Sequence, residues 1–295
     1  TMGNPHYLND VAESFFHYVG ATNKGFVATG VGRPNALKPI YSVTGSHDPF
    51  YYAINAHYGS SDHEVFNDWG VQVPGVIMIT WPDNYYHTSG DRPEICDPTQ
   101  LHRAIVIAAA TAYTIAESGE QGAVKIASEV AANSAKRMSI KMKEDLTALA
   151  GASAEEFAAL YRTARFNQDA LRQNEVATIR SVAELAPASK VLADYLASLT
   201  ESVDAALAAN SKSIDAAMRA KAAELGVAPL KLTLTAEEKA AMACKAPPRA
   251  APILVQTAAT GVALAFVPPI QVAQQAAVAA AVAAVGLLKA SLSMT

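Results

Sequence analysis

The sequence predicts the closing part of an α/β unit followed by an alanine-rich, all-helical region. Three observations carry that expectation. The apolar run Val73 to Thr80 has the length and branched side chains of a buried strand. Asp97-Pro98-Thr99-Gln100 then supplies an N-cap acid, a proline at the first helical position and a glutamine three residues after the cap. From Ala123 to about Leu225 the chain is poor in glycine and rich in alanine, which supports three or four helices. The 295 residues suffice for one large domain or two, and their 51% hydrophobic content excludes a disordered tail or a disulfide miniprotein. A net charge of -4 without a basic cluster argues against nucleic acid as a partner. Cys96 and Cys244 are the only cysteines, too few for a cysteine-rich zinc ribbon.

Taken in order, Leu8 to Val19 reads as an amphipathic helix through Leu8, Val11, Phe15, Phe16 and Val19, with Gly20 as its end. Gly25 to Pro39 reads as loop, followed by a short strand at Ile40 to Val43. The strand at Val73 to Thr80 stops at Trp81-Pro82-Asp83, because proline cannot donate to a ladder. A helix then runs from Pro98 to about Glu117, burying Leu101, Ile105, Ala108, Ala112 and Ile115. The loop after the long strand lies where open α/β sheets place their ligands.

Glu117-Ser118-Gly119-Glu120-Gln121-Gly122 interrupts the apolar pattern, so the domains are read as 1–118 and 119–295. Within the second, breaks are expected at Gly151-Ala152-Ser153 and Ala186-Pro187, and Ser153 to Glu156 has capping-box spacing. Between Arg249 and Lys289 lie 39 residues without a charge. Pro268-Pro269 divides them, and Gln256, Gln271, Gln274 and Gln275 would each need a partner in lipid. They are read as buried helices, with membrane contact through 250–288 as the alternative. Thr1 to Pro39 lacks a basic region followed by an apolar core, so no signal peptide is read there.

All seven histidines lie in the first 102 residues, as do both tryptophans and eight of the eleven tyrosines. Chemistry is therefore expected in the first part. Three glycine-containing clusters set histidines among acids: 45–50 around His47, 59–66 around Asp62 and His63, and 81–91 around His87. An imidazole can bind a divalent metal through one nitrogen while the other donates to a carboxylate or carbonyl, so such clusters fit a zinc site.

The order of these elements adds a family resemblance. Ser61-Asp62-His63 with Phe66, Val73-Pro74 leading into a strand, Tyr86-His87-Thr88 with Asp91, and Asp97 opening a helix resemble the catalytic domain of secreted di-zinc aminopeptidases, which include the glutamate carboxypeptidase type. The resemblance spans about Leu8 to Glu117. It implies a mixed-sheet zinc-exopeptidase fold, with His87 as a ligand of one of two zinc ions and Tyr86 as donor to the oxyanion. Asp62, His63, Asp83 and Asp91 are implied as supporting groups, and Phe50, Tyr52, Trp69 and Trp81 are candidates for the substrate pocket.

The same resemblance implies a peptide substrate and a secreted or periplasmic location. The remaining ligands and the glutamate base of such a site precede the matched region, so they are expected from a companion chain, a clipped fragment or an omitted segment. The helical part is expected to cap the cleft or mediate homo-oligomer formation. A catalytically inactive peptidase-like binding module, and a helical assembly or membrane-associated protein, are the alternative readings.

Overall fold

A computed structural model describes residues 4–29, 39–55, 61–68, 71 and 73–233, with 24–29 by their backbone. These residues fall into two compact units, one of residue 4 with 8–118 and one of 5–7 with 119–233. No strand occurs among them. The α/β expectation is therefore corrected: the described chain is helices joined by irregular segments.

The first unit holds α1 (Tyr7–Thr29, which starts in the second unit), α2 (His63–Asn67) and α3 (Pro98–Ala116). Helix α1 buries Val11, Ala12 and Val19 and does not end at Gly20. A Cβ at position 20 would overlap the ring of Tyr52, so this glycine serves close packing rather than termination. One turn later the fully buried Asn23 holds the helix to its neighbour. Its amide donates to Val19 O at 2.8 Å and its Oδ1 accepts from Ile40 N at 2.9 Å. Ile40 thus meets side chains in place of a ladder, and the strand expected at 40–43 is irregular backbone.

Val73 to Thr80 forms no regular element. A strand needs a second backbone whose N–H and C=O groups it can meet. Here Val73 N donates to Phe66 O at 2.8 Å, and Gly75 is bonded to a side chain. The strand reading is corrected for that reason.

Helix α3 begins as its cap predicts, with Thr99 N donating to Asp97 Oδ1 at 3.0 Å. Its inward face is a different one. Thr99, Arg103, Ile107 and Thr111 are buried, whereas Leu101 and Ile105 are 56% and 49% exposed and Ala108 and Ala112 are exposed too. The cause is polar. Ser42 N donates to Thr99 Oγ1 at 3.0 Å, and Arg103 Nε donates to Ile40 O at 3.2 Å with its guanidinium over the rings of Tyr41 and Phe50. Gln100 accepts from Arg103 Nη1 at 3.2 Å. Burial pushes the Arg103 guanidinium below its ordinary range, against the attraction of Tyr41, Asp97 and Asp48.

The second unit packs α4 (Glu120–Ala150), α5 (Phe157–Ser181) and α6 (Lys190–Leu225) together, with a 3₁₀ turn at Val182–Leu185. The breaks between them fall at Gly151 to Glu156 and Ala186 to Ser189. At the first break Ser153 and Glu156 bond reciprocally: Ser153 N donates to Glu156 Oε2 at 3.2 Å, and Glu156 N to Ser153 Oγ at 3.3 Å. Leu149, Phe157, Tyr161, Ile214 and Met218 form a core at one end, covered by Leu230 and Leu232.

Gly226, at φ 68°, closes α6 in the left-handed conformation that glycine adopts most readily, and Val227 N returns to Ala222 O at 2.9 Å. Polar layers cross the interior. Arg137 forks onto Glu175 at 2.7 and 2.6 Å, and Asp145 accepts from Asn167 at 2.8 Å and Gln168 at 3.0 Å. Residues 5–7 belong to this unit, where Tyr7 N donates to Ser181 Oγ at 2.9 Å and His6 Nε2 lies 3.0 Å from Glu184. Among the described residues no helix is long and apolar enough to cross a membrane, and the charge-free stretch 250–288 lies outside them.

Candidate functional site

The candidate site is built from three pieces of the first unit. The first is α2, preceded by Asp62, which is exposed and makes no side-chain capping bond. His63 opens the helix and is half-buried. The helix ends at the buried Asn67, whose amide pairs with both backbone groups of Gly75. Its Nδ2 donates to Gly75 O at 2.9 Å and its Oδ1 accepts from Gly75 N at 3.0 Å, while Asn4 Nδ2 reaches Oδ1 at 3.5 Å. One primary amide thus does for Gly75 what a neighbouring strand does for a paired residue. It fixes the start of the irregular run that leads to His87.

The second piece is the loop after that run. Asp83 Oδ1 accepts from Tyr85 N at 2.8 Å, forming an Asx turn. Thr88 Oγ1 donates to Tyr85 O at 2.7 Å and accepts from Gly90 N at 3.1 Å, and Asp91 N donates to Thr88 O at 3.2 Å. Between these anchors His87 takes φ 57°, the left-handed region that costs a residue with a Cβ about 1–3 kcal/mol unless neighbours hold it. The rings stack in series: Trp81 stands edge-on to Tyr86 at 5.6 Å, and Tyr86 lies flat on His87 at 3.9 Å. Tyr86 is 46% exposed, and His87, Asp91 and Trp81 are exposed as well.

The third piece faces α1. Phe50 and Tyr52 stack at 5.4 Å, and Phe16 packs against them at 6.1 and 5.7 Å. His17 Nδ1 lies 2.6 Å from Tyr52 Oη, and its Nε2 lies 3.0 Å from Glu13 Oε1. Burial, and secondarily the Glu13 carboxylate, raise the Tyr52 phenol above its ordinary range. The pocket candidates therefore divide into two aromatic groups, Trp81 with Tyr86 and His87, and Phe50 with Tyr52. Trp69 lies outside the described residues.

A site for two zinc ions needs more donors than these. Besides one imidazole it needs a second histidine, a bridging aspartate, further carboxylates and a base. Among the described residues no three histidine, cysteine, aspartate or glutamate side chains come together as metal ligands. Asp83 spends a carboxylate oxygen on Tyr85 N–H, and Asp62 lies just before α2. The described residues thus do not by themselves fit a zinc pair; His87 offers a single nitrogen.

Sequence reading missed Asn67, Arg103 and the Glu13–His17 pair. The four-residue spacing of Glu13 and His17 on a helix is a signal that was there to be used. Asn67 and Arg103 have no local signature, since their partners lie 8 and 63 residues away.

Comparison with known families finds one relation. Residues 15–112, about a third of the chain, match the model of Peptidase family M28. No curated protein and no solved structure matches the chain.

Proposed function

We propose, taking the match of residues 15–112 to Peptidase family M28 as the premise, that the first unit is the carboxyl-terminal part of a zinc-dependent exopeptidase of the aminopeptidase type. The single observation that carries the reading is that match, which encloses Tyr86 and His87 on the hydrogen-bonded loop after residues 73–80. In this reading His87 contributes one ligand, and Tyr86 donates its phenol proton to charge developing on the substrate carbonyl oxygen. Stacking of Tyr86 on His87 and the edge of Trp81 hold the phenol in place. The other metal ligands and the general base come from outside the matched residues, whether from an upstream part of the same protein or from a companion polypeptide. Zinc chemistry, where the site is complete, supplies the activated water. Export to the exterior or periplasm goes with the same reading.

The test is an assembly isolated by a tag on this chain and assayed with leucine p-nitroanilide and for bound zinc. His87→Ala is expected to lose zinc and hydrolysis together. Tyr86→Phe is expected to keep the metal and lose roughly 10²–10³ in kcat. An assembly that cleaves the anilide equally well with His87→Ala, or that holds no zinc and cleaves nothing, overturns the assignment. The exposure of His87 and the lack of a three-ligand group among the described residues favour one second reading, a peptidase-like binding module without catalysis. Two zinc ions per active assembly would exclude it.

A further inference from the structure

We infer that Glu13, His17 and Tyr52 form a second, metal-independent site, in which the Tyr52 hydroxyl is an acyl acceptor for activated esters and His17 is its base. The inference rests on the geometry of these three side chains and not on the peptidase reading.

The imidazole of His17 stands between two oxygens, 2.6 Å from Tyr52 Oη and 3.0 Å from Glu13 Oε1. A carboxylate only accepts, so the ring proton sits on Nε2 and is donated to Glu13. Nδ1 is then an acceptor, and the Tyr52 O–H donates to it. One neutral tautomer satisfies both bonds, and it is the hydroxyl–imidazole–carboxylate order that activates a nucleophile. The same arrangement disfavours a metal at this place. A metal needs donors converging on one point, whereas here the acid and the phenol lie on opposite nitrogens of the ring.

The surroundings hold the relay and leave it reachable. Glu13 and His17 are one helical turn apart on α1, so their pairing is set by the backbone. Gly20, on the next turn, has no side chain where the Tyr52 ring lies. Phe16 and Phe50 stack against that ring. The His17 side chain is 44% exposed and Tyr52 is half-buried, so a small ester can approach. A phenol is protonated at neutral pH, and burial with Glu13 shifts Tyr52 further that way, so its proton must leave as the bond forms.

The step balances without a further reactant. Tyr52 Oη bonds to the acyl carbon as its proton passes to His17 Nδ1. The ester C–O bond breaks, and the departing oxygen carries off the electron pair and then the proton from Nδ1. The products are an acyl-tyrosine and a phenol, and Glu13 positions the imidazole and stabilises its protonated form.

The neighbouring Tyr51 is an internal control, since it is 84% exposed and lies outside the relay. The full chain is treated with p-nitrophenyl acetate at neutral pH, and acetylation is mapped by peptide mass spectrometry over time. Tyr52 is expected to be acetylated at least tenfold faster than Tyr51, with one equivalent of p-nitrophenol released per chain. His17→Gln should lower the Tyr52 rate by roughly 10²-fold and leave Tyr51 unchanged. Glu13→Gln should lower it about tenfold. Unchanged labelling of Tyr51 and an unchanged circular dichroism spectrum show that the variants are folded. If Tyr51 is labelled as fast as Tyr52 in the unaltered chain, exposure governs reactivity and the inference fails. It fails equally if Tyr52 labelling is insensitive to His17→Gln. Neither result bears on zinc-dependent hydrolysis by the companion assembly.

Discussion

Replacing Asn67 tests whether one side-chain amide sets the path toward His87. In Asn67→Ala, Gly75 loses both partners, the N–H bond at 3.0 Å and the C=O bond at 2.9 Å. Each bond contributes about 0.5–1.5 kcal/mol net, and a buried group left unpaired costs about 1–3 kcal/mol. Gly75 is half-buried, so water recovers part of that loss, and about 2–3 kcal/mol is expected for the pair. Asn67→Asp separates the two bonds. Its carboxylate still accepts from Gly75 N–H but faces the Gly75 carbonyl with no proton to give. The repulsion raises the folded-state pKa of the new carboxyl above the unfolded value near 4. Its favourable contribution is therefore present below about pH 4 and lost as pH rises through the raised folded value.

The assay is urea unfolding followed by tryptophan fluorescence. Both tryptophans of the chain, Trp69 and Trp81, lie within residues 1–118, so this signal reports the first unit. At pH 7 both variants should be destabilised similarly, and near pH 4 the aspartate variant should recover toward the unaltered chain while the alanine variant does not. A loss below about 0.5 kcal/mol for Asn67→Ala, within the range of ordinary surface substitutions, refutes the clamp. So does an aspartate variant whose penalty is the same at both pH values.

Other outcomes follow from the same structure. Asp97 is desolvated, which opposes its ionisation, but bonds from Ser46 Oγ–H and from the N–H groups of Ser46, Thr99 and Gln100 outweigh that and hold its pKa below the ordinary carboxylate range. Its contribution is thus present above about pH 4 and is lost as pH falls through the depressed folded value, so the stability gap to Asp97→Asn should close on acidification in fluorescence-monitored unfolding. Glu175→Ala removes the buried carboxylate onto which Arg137 forks and should cost about 3 kcal/mol, read by circular dichroism in urea. Gly20→Ala puts a methyl group into the Tyr52 ring and should displace that ring from His17, seen as loss of the acetylation difference between Tyr52 and Tyr51.

Much of the helical architecture was legible because it depends on neighbours in the chain. Asp97-Pro98 starts α3, Ser153 and Glu156 bond reciprocally at the entry to α5, and Gly226 ends α6, each through contacts within a few residues. Tyr86-His87-Thr88 marked the loop that the family match encloses. Tertiary partners decided the rest. Val73 to Thr80 has strand composition, yet pairing requires a second backbone, and what Gly75 meets is the Asn67 amide. Leu101 and Ile105 have core spacing on α3, yet Thr99 and Arg103 face inward because Ser42 N and Ile40 O, some 60 residues earlier, need partners. Gly20 reads as a stop signal and is instead the space that Tyr52 fills. Local chemistry fixes where a helix begins and ends; which of its faces is buried depends on polar groups that only folding brings within reach.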